Sequence, residues 1–258
     1  MTPEHETILP DGIALDRESV RSLVENRETT PHPDHPTYKV LVIDVGGTNI
    51  KLLATGQDQP RKVPSGPDLT PEQVVEGVCR ASADWDYDAI SIGIPGPIVQ
   101  GKPALQPHNL GPGWLGFDFG AAFGKPTRVI NDAAMQALGS YEGGRMLFLG
   151  LGTGLGSALI VEKMLVPLEL AHLPYRKKRT FEDYVGLRGL RRLGKKKWRR
   201  AVFDIVARLR AATLADYVVL GGGNVKRLKQ LPPHCRLGDN RNAFRGGFRM
   251  WEEGFTAG

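Results

Sequence analysis

Three glycine-rich turns constrain this chain more than any other feature. "DVGGTNIK" (44–51) joins two apolar runs, "GLGTGLGSALI" (150–160) does the same in the second half, and "VVLGGGNVKRL" (218–228) follows a late one. Glycine lets a backbone pass close to an anion and aim several N–H groups at it, and Thr48 and Thr153 add hydroxyl donors. One such turn is an ordinary hairpin; three at analogous places point to phosphate binding. The candidate contacts are Asp44, Gly46, Gly47, Thr48, Gly152, Thr153, Gly154, Gly222 and Gly223. None of the turns matches GxxxxGK[ST], and GLGTGLGS leads from strand into strand, which argues against both a P-loop and a dinucleotide turn.

Around these turns the hydrophobic pattern alternates strands with helices. Strands are expected near 39–45, 49–55, 89–94, 127–130, 146–150, 155–161 and 217–220. "TPEQVVEGVCRASADW" reads as a helix with Thr70 as N-cap and Pro71 at its first position, and "DAAMQALGSYEG" as a second one starting at Asp132. No repeat of solenoid spacing occurs. This order specifies an α/β protein, and 258 residues suffice for two lobes with a cleft between them. The lobes are expected at 38–131 joined by about 240–258, and at 132–239. Residues 1–37, with eight acids, three arginines and five prolines, read as a flexible extension with one short helix around 15–25.

Charge is unevenly spread. The net charge is +6, yet the window 176–200 alone holds twelve Lys or Arg against Glu182 and Asp183. In "RRLGKKKWRRAVFDIVARLRAA" the residues Trp198, Val202, Ile205 and Leu209 follow helical spacing, leaving Lys195, Lys196, Lys197, Arg199 and Arg200 on the other side. Such a run is either a solvated helix face or a track for a polyanion, whose binding would be sensitive to salt. The two cysteines, Cys79 and Cys235, lack CxxC spacing and support neither a disulfide framework nor a cysteine-built zinc site. No apolar stretch approaches bilayer length and the N-terminus lacks the order of a secretory signal, so a cytoplasmic protein that does not engage membrane is expected. The N-terminal segment is acidic and too short for a helix-turn-helix domain, and no aromatic-interleaved RNA motif is present, so no nucleic-acid partner is expected.

Eight short motifs carry a resemblance. "DVGGTNIK", "GIPGPI", "NLGPGW", "NDA", "LGTGLGSA", "ELAHL", "FEDYV" and "LGGGN" occur in the order found in ROK-type sugar kinases, over about residues 38–250. The lack of cysteines after Glu169 and His172 and the ending "GDNRNAFRGGFRMWEE" resemble the polyphosphate-using glucokinase branch of that family. The resemblance implies an actin-like ATPase (ribonuclease H-like) fold, two α/β lobes with the active site between them, and commonly a homodimer. It implies a phosphotransferase acting on a sugar hydroxyl with Mg2+, the donor being inorganic polyphosphate or ATP and the acceptor glucose. The alternatives are an ATP-dependent hexokinase for glucose or mannose, and a sugar sensor or regulator without catalysis.

Residue by residue, Asp132 resembles the family's catalytic aspartate. A sugar hydroxyl is a poor nucleophile and needs such a base; the competing role for Asp132 is to cap its own helix. Asn109, Asn131, Glu169, His172, Glu182 and the turn at Pro95 and Gly96 fall on positions resembling the sugar-binding ones, side chains that both accept and donate hydrogen bonds. Glu169 and His172, three apart, would share a face of a helical turn. Taken alone, His172 also reads as a structural histidine. Asp44 matches the aspartate that lies near Mg2+ and the phosphates, through water. Lys51 faces either donor or solvent. The sequence departs from the family after His172, where "LPYRKKRT" replaces three cysteines. Lysine and arginine are not zinc ligands at neutral pH, so zinc is not expected, and what stiffens the loop leading to Glu182 is left open.

Overall fold

The computed structural model describes residues 38–107, 109–239 and 241–257, with two short strands nearer the N-terminus. Residues 1–37 form a unit separate from residues 38–258. In it β1 (Thr7–Ile8) pairs antiparallel with β2 (Ala14–Leu15). The short helix expected around 15–25 lies, beyond Leu15, outside the described residues, as does the flexibility expected of the extension.

In the larger unit two sheets repeat one topology. Continuous apolar sequence makes β3 (Val40–Val45) and β6 (Ala89–Ile94) strands buried on both faces. The alternation in β4 (Asn49–Ala54) turns Ile50, Leu52 and Ala54 inward. With β5 (Arg61–Pro64) and β9 (Thr127–Asn131) they form a sheet of order β5-β4-β3-β6-β9. The β5-β4-β3 meander is antiparallel, whereas β3, β6 and β9 run parallel. A β-ribbon of β7 (Ile98–Val99) and β8 (Lys102–Pro103) projects after β6. The second half repeats the scheme. Strands β10 (Arg145–Leu151), β11 (Leu155–Val161) and β12 (Met164–Leu168) form the antiparallel meander. After a hairpin of β13 (Pro174–Arg176) and β14 (Arg179–Thr180), β15 (Tyr217–Gly221) and β16 (Cys235–Leu237) add in parallel beside β10. The last strand, β17 (Thr256–Ala257), pairs with β12 and completes the order β16-β15-β10-β11-β12-β17.

Alternate residues of each strand feed different helical layers. Leu41, Ile43 and Val45 pack with Val74 and Val78 of α1 (Pro71–Ala81) and with Phe119 of α2 (Phe119–Phe123). Helix α1 starts where expected: Thr70 and Gln73 exchange a capping box, and Pro71 fills the first helical position. Val40 and Val42 face the other way, into a core shared with Met146 and Phe148 of β10 and with two helices, α3 (Asp132–Ser140) and α6 (Asn242–Arg249). These helices are therefore the layer between the sheets. They cross closely because a Cβ on Gly139 would collide with the Asn242 carbonyl and one on Gly246 with that of Met135. Behind the second sheet, Leu147, Leu149 and Leu151 pack against α5 (Leu187–Thr213), which follows the single turn α4 (Glu182–Val185). Trp198, Val202, Ile205 and Leu209 form its buried stripe, as the spacing requires. A Gly194 backbone at φ 72° kinks α5 immediately before the basic run. Among the described residues no helix is long and apolar enough to cross a membrane.

Candidate active site

The start of α3 is wedged between the two sheets. Asp44 pairs with Gly93 in the first sheet, and Ile94 of the same strand pairs with Asn131, so β3, β6 and β9 end side by side. With strands about 5 Å apart, the Asp44 backbone is about 10 Å from β9. A Cβ built on Gly93 would lie 3.4 Å from Asp132 Cα, and one on Gly156 of the second sheet 2.6 Å from Ala133 Cβ. Two glycines on opposite sheets thus clear the space that the helix start occupies.

Asn131, and not Asp132, is the N-cap. Its Oδ1 accepts from the Ala133 and Ala134 N–H groups at 2.9 and 3.2 Å, and its Nδ2 donates to the Gly96 carbonyl at 2.9 Å. Asp132 is the first helical residue and accepts from Ala133 N–H at 2.8 Å. Burial above all, and then the Asp44 carboxylate, push its carboxyl up to about 6; the Ala133 N–H opposes this and Glu169 adds to it. A carboxyl with that affinity takes up a proton in mild acid, near pH 6.

The glycine turns differ in what they leave to a ligand. Gly46 N–H closes the first turn onto the Asn49 carbonyl at 3.1 Å, so the exposed Gly47 and Thr48 form its tip. Asn109 lies against that tip, its Cβ 3.9 Å from where a Gly47 Cβ would be. In the second turn Gly152 N–H goes to the Gly154 carbonyl at 3.2 Å, and Thr153 is exposed. The third is locked to the second: Asn224 N–H donates to the Leu151 carbonyl at 2.9 Å and its Nδ2 to the Gly152 carbonyl at 2.7 Å. Gly222, at φ 84°, backs directly onto Leu151, leaving Gly223 exposed. The N–H groups of Gly46 and Gly152 are thus engaged in shaping the turns. Lys51, left between donor and solvent by the sequence, lies directly opposite Asp44 across β3 and β4, with Nζ 3.0 Å from Asp44 Oδ2.

Glu169, His172 and Glu182 come together at the other side. Burial raises the Glu169 carboxyl; the neighbouring His172 lowers it and Glu182 raises it again. The helical turn expected for Glu169 and His172 is instead an irregular turn closed by Leu173 N–H on the Leu170 carbonyl, because the chain is leaving the edge of β12. Glu182 Oε2 accepts from Leu155 N–H at 3.1 Å, with Gly154 pressed against the carboxylate and Arg188 3.7 Å from Oε1. Glu182 therefore touches the second glycine turn, a contact its position in "FEDYV" does not announce.

On α5, Lys195, Lys196, Lys197 and Arg200 are exposed as expected. Arg199 is a correction: it is half-buried and its Nε donates to the Arg227 carbonyl at 2.7 Å. Five residues past the kink, its side chain turns toward the segment after Gly223.

Comparison with known proteins agrees with this architecture. The model of the ROK family matches residues 40–166. The bifunctional enzyme NanE/NanK of Brucella melitensis is 32% identical over 155 residues, 54% of this chain and 30% of that protein, so the chain spans under a third of that relative. The polyphosphate glucokinase of Mycobacterium tuberculosis is 26% identical over 213 residues, 74% of this chain and 80% of its own. Among solved structures, the inorganic polyphosphate/ATP-glucomannokinase of Arthrobacter sp. strain KM superposes with a TM-score of 0.69 at 26% identity, over 83% of this chain and 98% of the other. With its doubled sheet topology and its glycine turns at matching strand ends, this chain has the actin-like fold, and its residues 40–166 are similar to the ROK family.

Proposed function

We propose that the chain is a glucokinase that transfers a phosphoryl group to the 6-hydroxyl of glucose, with inorganic polyphosphate favoured over ATP as donor. The observation that carries the reading is the Asp132 carboxyl: it begins the helix between the sheets, is not needed as the cap, and holds its proton up to about 6. Above that pH it is a carboxylate able to accept the proton of a sugar hydroxyl as the oxygen bonds to phosphorus and the donor's bridging oxygen departs. A base of this kind supplies about 10²- to 10⁴-fold, and positioning supplies much of the rest.

In this reading the lobes are 38–131 with about 240–258, and 132–239, the final strand β17 crossing over to pair with β12 of the second, and their closure excludes water, which competes with the sugar for phosphate. Glu169, His172, Glu182 and Asn109 bind the sugar hydroxyls. Asn131 has one amide hydrogen left for the sugar after its bond to Gly96, and Gly96 shapes that wall. Gly47, Thr48, Thr153, Gly154, Gly222 and Gly223 face the donor phosphates, while Gly46 and Gly152 form the bends. Mg2+ prefers oxygen ligands and keeps several waters, which Asp44 suits: Lys51 takes Oδ2, and Oδ1 remains for a metal-bound water. When bound, the ion neutralises charge on the donor. The polyphosphate preference is supported by the charge of exposed Lys195, Lys196, Lys197 and Arg200, which exceeds what ATP requires. Arg199 joins this basic segment to the one after the third turn. The cytoplasmic location and the homodimer follow from the family resemblance.

An ATP-dependent hexokinase acting on glucose or mannose is the second reading, favoured by the likeness to a glucomannokinase named for both donors. The test is phosphate transfer from polyphosphate and from ATP to glucose and to mannose. Greater kcat/KM with polyphosphate and glucose is expected. Transfer from ATP alone selects the second reading, and sugar binding without transfer from either donor makes the chain a sensor.

A further inference from the structure

The loop carrying Glu182 is tied to its surroundings by its own backbone and side chains. Two backbone bonds close its base: Glu182 N–H to the Ala171 carbonyl at 3.0 Å and Phe181 N–H to the Leu173 carbonyl at 3.1 Å. The tip of the β13–β14 hairpin turns through Lys177 and Lys178, both with positive φ. From that hairpin Tyr175 reaches inward. Its ring meets Phe181 at a centroid distance of 5.4 Å and Tyr184, edge-on, at 4.8 Å, the aromatic residues that flank Glu182 on either side. Its hydroxyl donates to Asp204 of α5 at 2.5 Å. The same Asp204 oxygen accepts from Arg208 at 2.9 Å and Arg176 at 3.2 Å, so the acceptor is itself held in place. Thr180 and Asp183 exchange hydrogen bonds across the start of α4, fixing the turn from below.

We propose that Tyr175 is a positioning residue for Glu182: its hydrogen bond to Asp204 ties the hairpin to α5, and its ring fixes the two aromatic residues on either side of the glutamate. The clasp does for this loop what a metal site does elsewhere, joining segments distant in sequence through one compact node. Asp204 is charge-balanced by two arginines, which keeps it ionised and a strong acceptor; its carboxyl is held below the usual range, first by the Tyr175 hydroxyl. The consequence for sugar recognition rests on the reading of Glu182 given above.

The test compares Tyr175→Phe and Asp204→Asn with the full-length protein. Tyr175→Phe removes one oxygen and keeps the ring, so the node loses its tie to α5 but not its packing. The expected result is a glucose KM raised about tenfold, the worth of one hydrogen bond to a charged group, with donor KM unchanged and kcat within about twofold. Hydrogen exchange at the Phe181 and Glu182 amides should quicken. Asp204→Asn, which keeps an acceptor, should shift the same quantities less. Unchanged glucose KM in a folded variant, or equal rises in both KM values, overturns the proposal. If the wild-type chain transfers no phosphate to sugar, that fails the functional reading, and the clasp is judged by exchange alone: faster exchange at Glu182 supports it and unaltered exchange overturns it.

Discussion

Asn131 caps the helix that Asp132 begins. Because the Asn131 carbonyl oxygen takes the N–H groups of Ala133 and Ala134, the helix has no need of a second cap. The neighbouring carboxylate is instead half-buried near Asp44 and Glu169, where its charge is unfavourable for stability. That arrangement suits a group kept for its chemistry.

Activity should follow the ionisation of Asp132. With its carboxyl at about 6, kcat/KM for the sugar should be level above about pH 7 and fall about tenfold per unit in acid below about 6. Stability should run the opposite way. The folded carboxyl binds its proton more tightly than the unfolded one, at 3.8, so this contribution is present below about pH 4 and is lost as pH rises to about 6. Asp132→Asn lacks that loss and should be the more stable protein at pH 7, by at most about 3 kcal/mol, a bound reduced by the solvent the residue still sees. Thermal unfolding of both proteins between about pH 4 and 8 measures the difference.

Lys51→Met should move the acid limb of the activity profile upward. Lys51 neutralises Asp44 at 3.0 Å, and without it the Asp44 charge acts unopposed on Asp132. Lys51→Arg should retain most of the wild-type profile. Rate–pH curves of the three proteins decide it; a limb that does not move in Lys51→Met separates Asp44 from Asp132 electrostatically.

Gly246→Ala should destabilise the protein by about 3 kcal/mol or more, since the added methyl meets the Met135 carbonyl inside the layer between the sheets. Urea unfolding checks this, and a loss below about 1 kcal/mol would mean that α3 and α6 do not cross so closely.

Lys196→Glu combined with Arg200→Glu should weaken polyphosphate use more than ATP use, and flatten the dependence of polyphosphate KM on salt. Both side chains are exposed on the helix. Arg199 is a poor choice for this experiment, because its bond to the Arg227 carbonyl makes it part of the packing. Equal losses with both donors would leave the basic run as a solvated face.

Much of this was legible in the sequence, for physical reasons. The strands around the glycine turns are continuous or alternating apolar runs, and their places are as the pattern predicts. Strands such as β5 (RKVP) and β16 (CRL) are short and polar, and they exist only because a neighbouring strand offers a ladder. Helix α6 was hidden because "NAFRGGFR" holds two glycines, poor helix formers by propensity that its close approach to α3 and β3 demands. Among the candidate site residues, Asp132 and Glu182 could be picked out from motifs. That Asn131 caps, that Lys51 pairs with Asp44, and that Tyr175 reaches Asp204 depend on register and on contacts between distant segments, which no local pattern encodes.

The central claim is that Asp132 takes the proton from the sugar, and the most direct measurement is single-turnover phosphate transfer to glucose by Asp132→Asn beside the wild type, with glucose binding measured on both. The account predicts a transfer rate lower by about 10²- to 10⁴-fold and a glucose affinity within about threefold of the wild type. Near-normal transfer by the variant would contradict it.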